Sequence, residues 1–184
     1  MSDYLEKFSH SHPILPLLVW APVSGYLFYQ GRDLAFSEML TTFLAGMLVW
    51  TFSEYMLHRF VFHYEATSKI GKFLIFVLHG VHHDDPQDPT RLVFAPPVGL
   101  IVFFILYSFF GLFVPDRYFS CFMGSFLVGY LGYDYIHYAT HHFPMTSKVG
   151  KYLRAYHLQH HYSHKPKKYG VSNPLWDFIF KTVD

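Results

Sequence analysis

The stretch MLTTFLAGMLVWTFSEYMLHRFVFH, residues 39–63, carries two signals end to end. Residues 39–57 hold one charged side chain, Glu54, in an otherwise uncharged and mostly apolar run. A bilayer core needs about 20 apolar residues in helical form, with a working range of about 17–25. His58 and His63 follow at once. A membrane span that ends on histidines sets the reading of everything else in the chain.

Working outward, three more apolar stretches appear, at 14–30, 98–114 and 119–138. The first carries Pro16 and Pro22, which are expected to kink it. The composition agrees with membrane insertion: 52% of the 184 residues are hydrophobic, 21% aromatic and only 15% charged. That is too apolar for an ordinary water-soluble domain. The length predicts a single domain over residues 1–184. A formal net charge of +1 offers no bulk attraction for nucleic acid. Cys121 stands alone in an apolar run, which excludes a disulfide framework and a thiolate metal site. The opening MSDYLEKFSHSHPIL (1–15) lacks the basic region and cleavage site of a signal peptide, so the apolar segments belong to the mature protein.

Two short links, GRDLAFSE (31–38) and PDRY (115–118), join the spans in pairs. The expected fold is therefore all-α and integral to the membrane, with four transmembrane helices as two hairpins. Arg32 and Arg117 sit in the short links; the other 12 Lys and Arg fall in the N-terminus, the 58–97 segment and the C-terminal tail. Two hairpins place those three regions on one face, and the positive-inside bias makes that face cytoplasmic.

Of 14 histidines, 12 form four clusters: His58 and His63; His79, His82 and His83; His137, His141 and His142; and His157, His160, His161 and His164. His10 and His12 read as ordinary structural residues. Every cluster falls on the predicted cytoplasmic face, which suits a helical cap holding a dinuclear metal site. Helical positions i, i+3 and i+4 share a face, so His79, His82 and His83 are predicted to present nitrogens together, as are His157, His160 and His161. Neutral imidazole suits zinc, copper, iron and nickel. A structural zinc site takes four ligands, commonly with thiolates, and this chain has too many histidines and no thiolate. Iron that activates O2 would suit a membrane location, with lipid C–H bonds as targets.

The motifs EYMLHRFVFH (54–63), LHGVHHDDPQDPTRLVFAPP (78–97), GYLGYDYIHYATHHFP (129–144), YHLQHHY (156–162) and YGVSNPLWDFIFKT (169–182) resemble the fatty acid hydroxylase superfamily of membrane non-haem di-iron oxygenases. The second and last point to its fatty acid and sphingolipid 2-hydroxylases. The resemblance implies hydroxylation at C2 of a long acyl chain, free or ceramide-like, using O2 and external electrons. It implies two iron ions, replaceable by zinc in a purified form, held by His58, His63, His79, His82, His83, His137, His141, His157, His160 and His161. His141 and His142 are alternatives at one position, with His142 otherwise an outer residue; His164 lies beyond the last motif. Eukaryotic members carry a fused b5-type cytochrome. Only 13 residues precede the first span here, so the resemblance is to the catalytic half, with a separate donor protein of cytochrome or ferredoxin type. The membrane would be a bacterial inner membrane or the endoplasmic reticulum; the oligomeric state is open.

Glu54 and Asp134 lie three or four residues before His58 and His137 and read as carboxylates that orient the ligands. Asp84 and Asp85 read equally as helpers or as a solvated loop. Tyr55, Tyr133, Tyr138, Tyr156 and Tyr162 read as interface anchors, and LVFAPPVG (92–99) as part of an acyl entrance or simply the start of a span. The KPKK run (165–168) reads as a basic segment on anionic lipid, or as a dock for an acidic donor. Rival functions are another oxidation of the superfamily (sterol or carotenoid hydroxylation, or desaturation) and metal transport. Transporters place their ligands near the bilayer midplane, which these clusters avoid.

Overall fold

The computed structural model of the protein describes residues 10–163 and 167–184. The first nine residues, His164 and the Lys165–Pro166 half of the basic run lie outside the described residues. All described elements are helical. Helix α1, Leu15–Gln30, starts with Pro16 in its first turn, where the missing N–H costs nothing, and runs on through Pro22 as one helix. Helix α2, Phe36–Met56, begins where the Ala35 amide donates to the Glu38 carboxylate at 2.9 Å. Helix α3, Lys69–Ile75, is capped by Ser68, whose hydroxyl accepts from Gly71 N at 3.0 Å. Helix α4, Pro96–Phe110, starts on its own prolines. Then come α5, Asp116–His142, α6, Lys148–Tyr162, and the short α7, Leu175–Phe180.

The helix ends differ from those of the apolar stretches. α5 continues past residue 138 to His142 because a helix needs satisfied backbone hydrogen bonds, not apolar side chains, and Thr140 and His141 are buried under the neighbouring elements. α4 stops at Phe110, short of residue 114, where Gly111 opens a turn.

Helix α5 is the central post, packed along α1 and α2. The core it anchors contains Trp20, Trp50, Phe122, Met123, Phe126 and Tyr130. Two glycines let the backbones close up. A Cβ at Gly46 would stand 2.6 Å from the Phe122 carbonyl oxygen, and one at Gly129 would stand 2.6 Å from Trp50 Cγ. Trp50 is itself locked between Phe126, Tyr130 and Tyr133. Gly129→Ala is therefore expected to lower stability by about 1–3 kcal/mol, the usual cost of overpacking. Thermal unfolding in detergent micelles checks it, and an unchanged midpoint would mean that Trp50 can yield.

Far from the histidines, Glu38 ties the two hairpin links together. It accepts from Arg117 Nη2 at 2.8 Å and from the Tyr118 hydroxyl at 3.3 Å. The continuous helical stretch Phe36–Phe62 is long and apolar enough to cross a membrane, and Pro96–Phe110 is apolar but shorter. Outward faces are apolar as well: Leu18 and Tyr26 on α1 and Ile101 and Phe104 on α4 are each about 60% exposed. Of the tyrosines expected as interface anchors, Tyr55, Tyr133 and Tyr156 are buried, because α2, α5 and the C-terminal segment close over them.

Candidate metal centre

Two departures from α-helical geometry build the site. After Met56 the chain enters a π-helical turn, Leu57–Phe62, in which the His63 amide reaches the His58 carbonyl at 3.3 Å. In an α-helix, about 100° per residue would put positions five apart roughly 140° away from each other. The wider π-turn, with its i→i+5 bonds, stacks them instead. The rings of His58 and His63 lie 5.0 Å apart between centroids. A second π-turn, Phe76–Gly80, follows α3 and delivers His79, and the helical turn Val81–Asp84 then carries His82 and His83.

The ten histidines converge in two groups of five. His58, His63, His79, His83 and His160 form one, and His82, His137, His141, His157 and His161 the other; in each, one ring nitrogen per residue lies within 4.8 Å of all the rest. The grouping differs from the shared faces expected of each motif. In His79-x-x-His82-His83 the i and i+4 residues join the first group and the i+3 residue joins the second; in His157-x-x-His160-His161 the i and i+4 residues join the second and the i+3 residue the first. The reason is angular: i+3 and i+4 sit about 100° apart around a helix, so a helix wedged between two groups serves both. The rings of His83 and His161, one from each group, stack at 4.2 Å.

His142 stays outside both groups, its ring against Tyr138 at 4.4 Å. His10 and His12 also lie outside, and His10 Nδ1 meets the Thr90 hydroxyl at 2.5 Å. Asp134 is buried beside the Tyr130 hydroxyl rather than against an imidazole. Glu54 is buried too, but it grips the C-terminal segment: it accepts from Val171 N at 2.7 Å, Ser172 N at 2.8 Å and the Ser172 hydroxyl at 2.5 Å. Lys168 turns inward, donating to the Val183 carbonyl.

Four contributors escaped the sequence reading. The carbonyls of Tyr169 and Lys167 accept from His58 Nδ1 at 2.5 Å and His160 Nδ1 at 2.6 Å. Asp177, wholly buried, accepts from Tyr169 N at 2.9 Å and Gly170 N at 2.7 Å. Backbone carbonyls carry no residue signature; the only trace of Asp177 was an acidic residue within the apolar LWDFIF. Arg154 braces the end of α5 by donating to the carbonyls of Thr140 at 2.6 Å and Phe143 at 2.9 Å.

The donor set fits metal ions. Since a carbonyl only accepts, His58 and His160 carry their protons on Nδ1 and turn bare Nε2 lone pairs inward. Those Nε2 atoms lie 3.1 Å from His79 Nε2 and 3.0 Å from His63 Nε2. In the second group, Nε2 atoms approach at 2.8 Å for His141 and His157 and 3.0 Å for His157 and His161. Neutral rings have too few N–H groups to satisfy so many close nitrogen pairs, and converging lone pairs call for a cation.

Burial keeps the rings neutral. It pushes His63 down to about 4 and His83 down to about 3, helped by facing imidazoles. A depressed folded-state pKa means that below about 6.5 the unfolded chain binds protons the folded one refuses. Stability of the metal-free protein is thus complete above about pH 6.5 and is lost as pH falls toward 4. We expect the unfolding midpoint of chelator-stripped protein to be flat from pH 7 to 8 and to drop steeply from 6.5 to 5. A flat profile through pH 5 would show these rings to be solvated.

An apolar cavity is bounded by α1, α2, α4 and α5. Phe62 lines it and stacks on the His79 ring at 5.1 Å. Trp20, Leu106 and Phe126 line it further along, and Phe94 and Gly99 bring in the 92–99 segment.

Helical elements that gather ten imidazoles into two groups able to hold metal ions define the class of site found among the described residues. Residues 43–182 match the profile of the family described as Fatty acid hydroxylase. A dihydroceramide fatty acyl 2-hydroxylase of Arabidopsis thaliana is 34% identical over 90% of this chain and 71% of its own length. The fatty acid 2-hydroxylase of Rattus norvegicus is 33% identical over 99% of this chain, which spans 55% of the rat protein. The solved hydroxylase domain of full-length scs7p superposes with a TM-score of 0.92 at 31% identity, covering 99% of this chain and 70% of that one. The chain belongs to the fatty acid hydroxylase family.

Proposed function

We propose that the protein is a lipid 2-hydroxylase that places a hydroxyl on C2 of a long acyl chain, free or in a ceramide-like lipid. The observation that carries this reading is an apolar cavity whose wall includes Phe62, the ring that stacks on His79. Phe62 belongs at once to the cavity wall and to the face of His79. An acyl chain lying in the cavity would bring the carbons nearest its head to the imidazole groups. The relatives' names supply the position of attack.

In this reading the ten histidines of the two groups hold two iron ions, five imidazoles each, with zinc able to take their place. When bound, the metal pair supplies the activation of O2 needed to attack an unactivated C–H bond. The chain's own residues do the rest. Trp20, Trp50 and Phe103 exclude water from the chain's path, and Phe62 and Phe94 narrow it beside the rings. We assign α1, α2, α4 and α5 as four spans, with α3, α6 and the C-terminal segment as the cytoplasmic cap, because Lys and Arg concentrate there. Electrons come from a donor of cytochrome or ferredoxin type. His142 and Asp134 support the ligand-bearing end of α5 without touching a metal.

The test is lipid profiling of a host lacking 2-hydroxy lipids, with and without this chain. The reading expects acyl chains heavier by one oxygen at C2, with no added double bond. A desaturated product, or a hydroxyl elsewhere, would move the chain to another oxidation of its superfamily.

A further inference from the structure

The two histidine groups are not equally supported. Four consecutive backbone amides, 169 to 172, are gripped by two buried carboxylates from different helices: Asp177 of α7 takes Tyr169 and Gly170, and Glu54 of α2 takes Val171 and Ser172. The Thr182 hydroxyl closes the grip by donating to Asp177 Oδ1 at 2.7 Å. Just before it, Lys168 holds a left-handed backbone, φ 60°, which a lysine adopts only when its surroundings impose it. On either side of that residue, the carbonyls of Lys167 and Tyr169 reach His160 and His58. The Tyr169 ring also packs against His58, His63 and His160, at 5.7 to 5.8 Å.

Every one of these contacts goes to the first group. In the second, the Nδ1 atoms of His82, His137, His141, His157 and His161 are buried and meet no acceptor on the protein among the described residues. An acceptor on the far nitrogen fixes a ligand's tautomer and orientation and makes it more basic, and losing such a partner typically costs about 10–100-fold in metal affinity.

We infer that the C-terminal segment is a latch for one metal position only, and that Asp177 is its positioning residue. Asp177 acts through the amides of Tyr169 and Gly170 to hold a carbonyl on His58, and the metal of the His58 group depends on it while that of the His82 group does not. This rests on the two-metal reading above.

Asp177→Asn preserves the shape but turns an NH2 toward one of the donor groups that the carboxylate serves. A second route to the same loop is Gly170→Ala, whose Cβ would stand 2.1 Å from the Asn173 carbonyl oxygen. The experiment loads wild type and both variants with iron in detergent, counts metal per polypeptide by mass spectrometry, and follows release to a chelator alongside thermal unfolding. Wild type is expected to hold two ions. The variants are expected to keep a cooperative unfolding transition and one ion of wild-type release rate, with the other released about 10–100-fold faster or already lost. Two ions released at wild-type rates would overturn the latch, as would equal weakening of both ions or loss of both with the fold. Wild type holding fewer than two would instead fail the ten-imidazole reading and carry the latch down with it; failure with wild type at two belongs to the latch alone.

Discussion

In the two-metal reading, His157→Ala combined with His82→Ala is expected to leave one metal per chain, whereas His157→Ala combined with His160→Ala is expected to leave none. His157 and His160 are three residues apart on α6, and His157 and His82 belong to separate segments. By sequence proximity the adjacent pair should disable one site; by the observed grouping it disables both, because His160 belongs with His58 and His157 with His82. Metal counting by mass spectrometry on the two double variants decides between them. Hydroxylation should fall by more than about 100-fold in each, since even the outer partners of metal ligands cost about 10–100-fold. Equal metal content in the two variants would refute the five-and-five division.

Leu106→Trp narrows which acyl chains are accepted without changing the carbon attacked. Leu106 lines the cavity from α4, and Phe126 lines it from α5. Phe126 precedes His137 by 11 residues, which is about 16 Å of helix at about 1.5 Å per residue. Each methylene kept from the cavity forfeits about 0.8 kcal/mol, or about fourfold in kcat/KM. Excluding four methylenes therefore penalises long chains by about 200-fold while short ones are spared. Competition between acyl lengths, with products located by mass spectrometry, measures both quantities. An unchanged length profile would place the acyl chain outside this cavity.

Much of this architecture was readable in advance, for identifiable reasons. Apolar runs at 14–30, 39–57, 98–114 and 119–138 became helices because mostly apolar runs of that length have few other ways to satisfy their backbone. Their ends were less legible. Capping and burial decide ends, as where Glu38 starts α2 early and the cap carries α5 on to His142. That these histidines gather was legible, but their partition into two groups was not. The five-residue spacing of His58 and His63 makes sense only in a π-turn, which no 3.6-residue periodicity announces. Glu54 was singled out for its charge in an apolar run, yet it holds amides rather than an imidazole. The carbonyls of Lys167 and Tyr169 belong to the backbone, where residue type leaves no mark.

Phe62 touches both the acyl cavity and the ring of His79, and this sets where distance along a substrate is counted from. In the proposed reading, the zero of the scale lies at the lipid head, beside the imidazoles, and the open length runs away from it. Such a ruler reports the second carbon for a chain of any length that fits. Capacity and regiochemistry are thus written in different parts of the molecule, and natural or engineered variation can lengthen or shorten the substrate while the oxidised carbon stays the same.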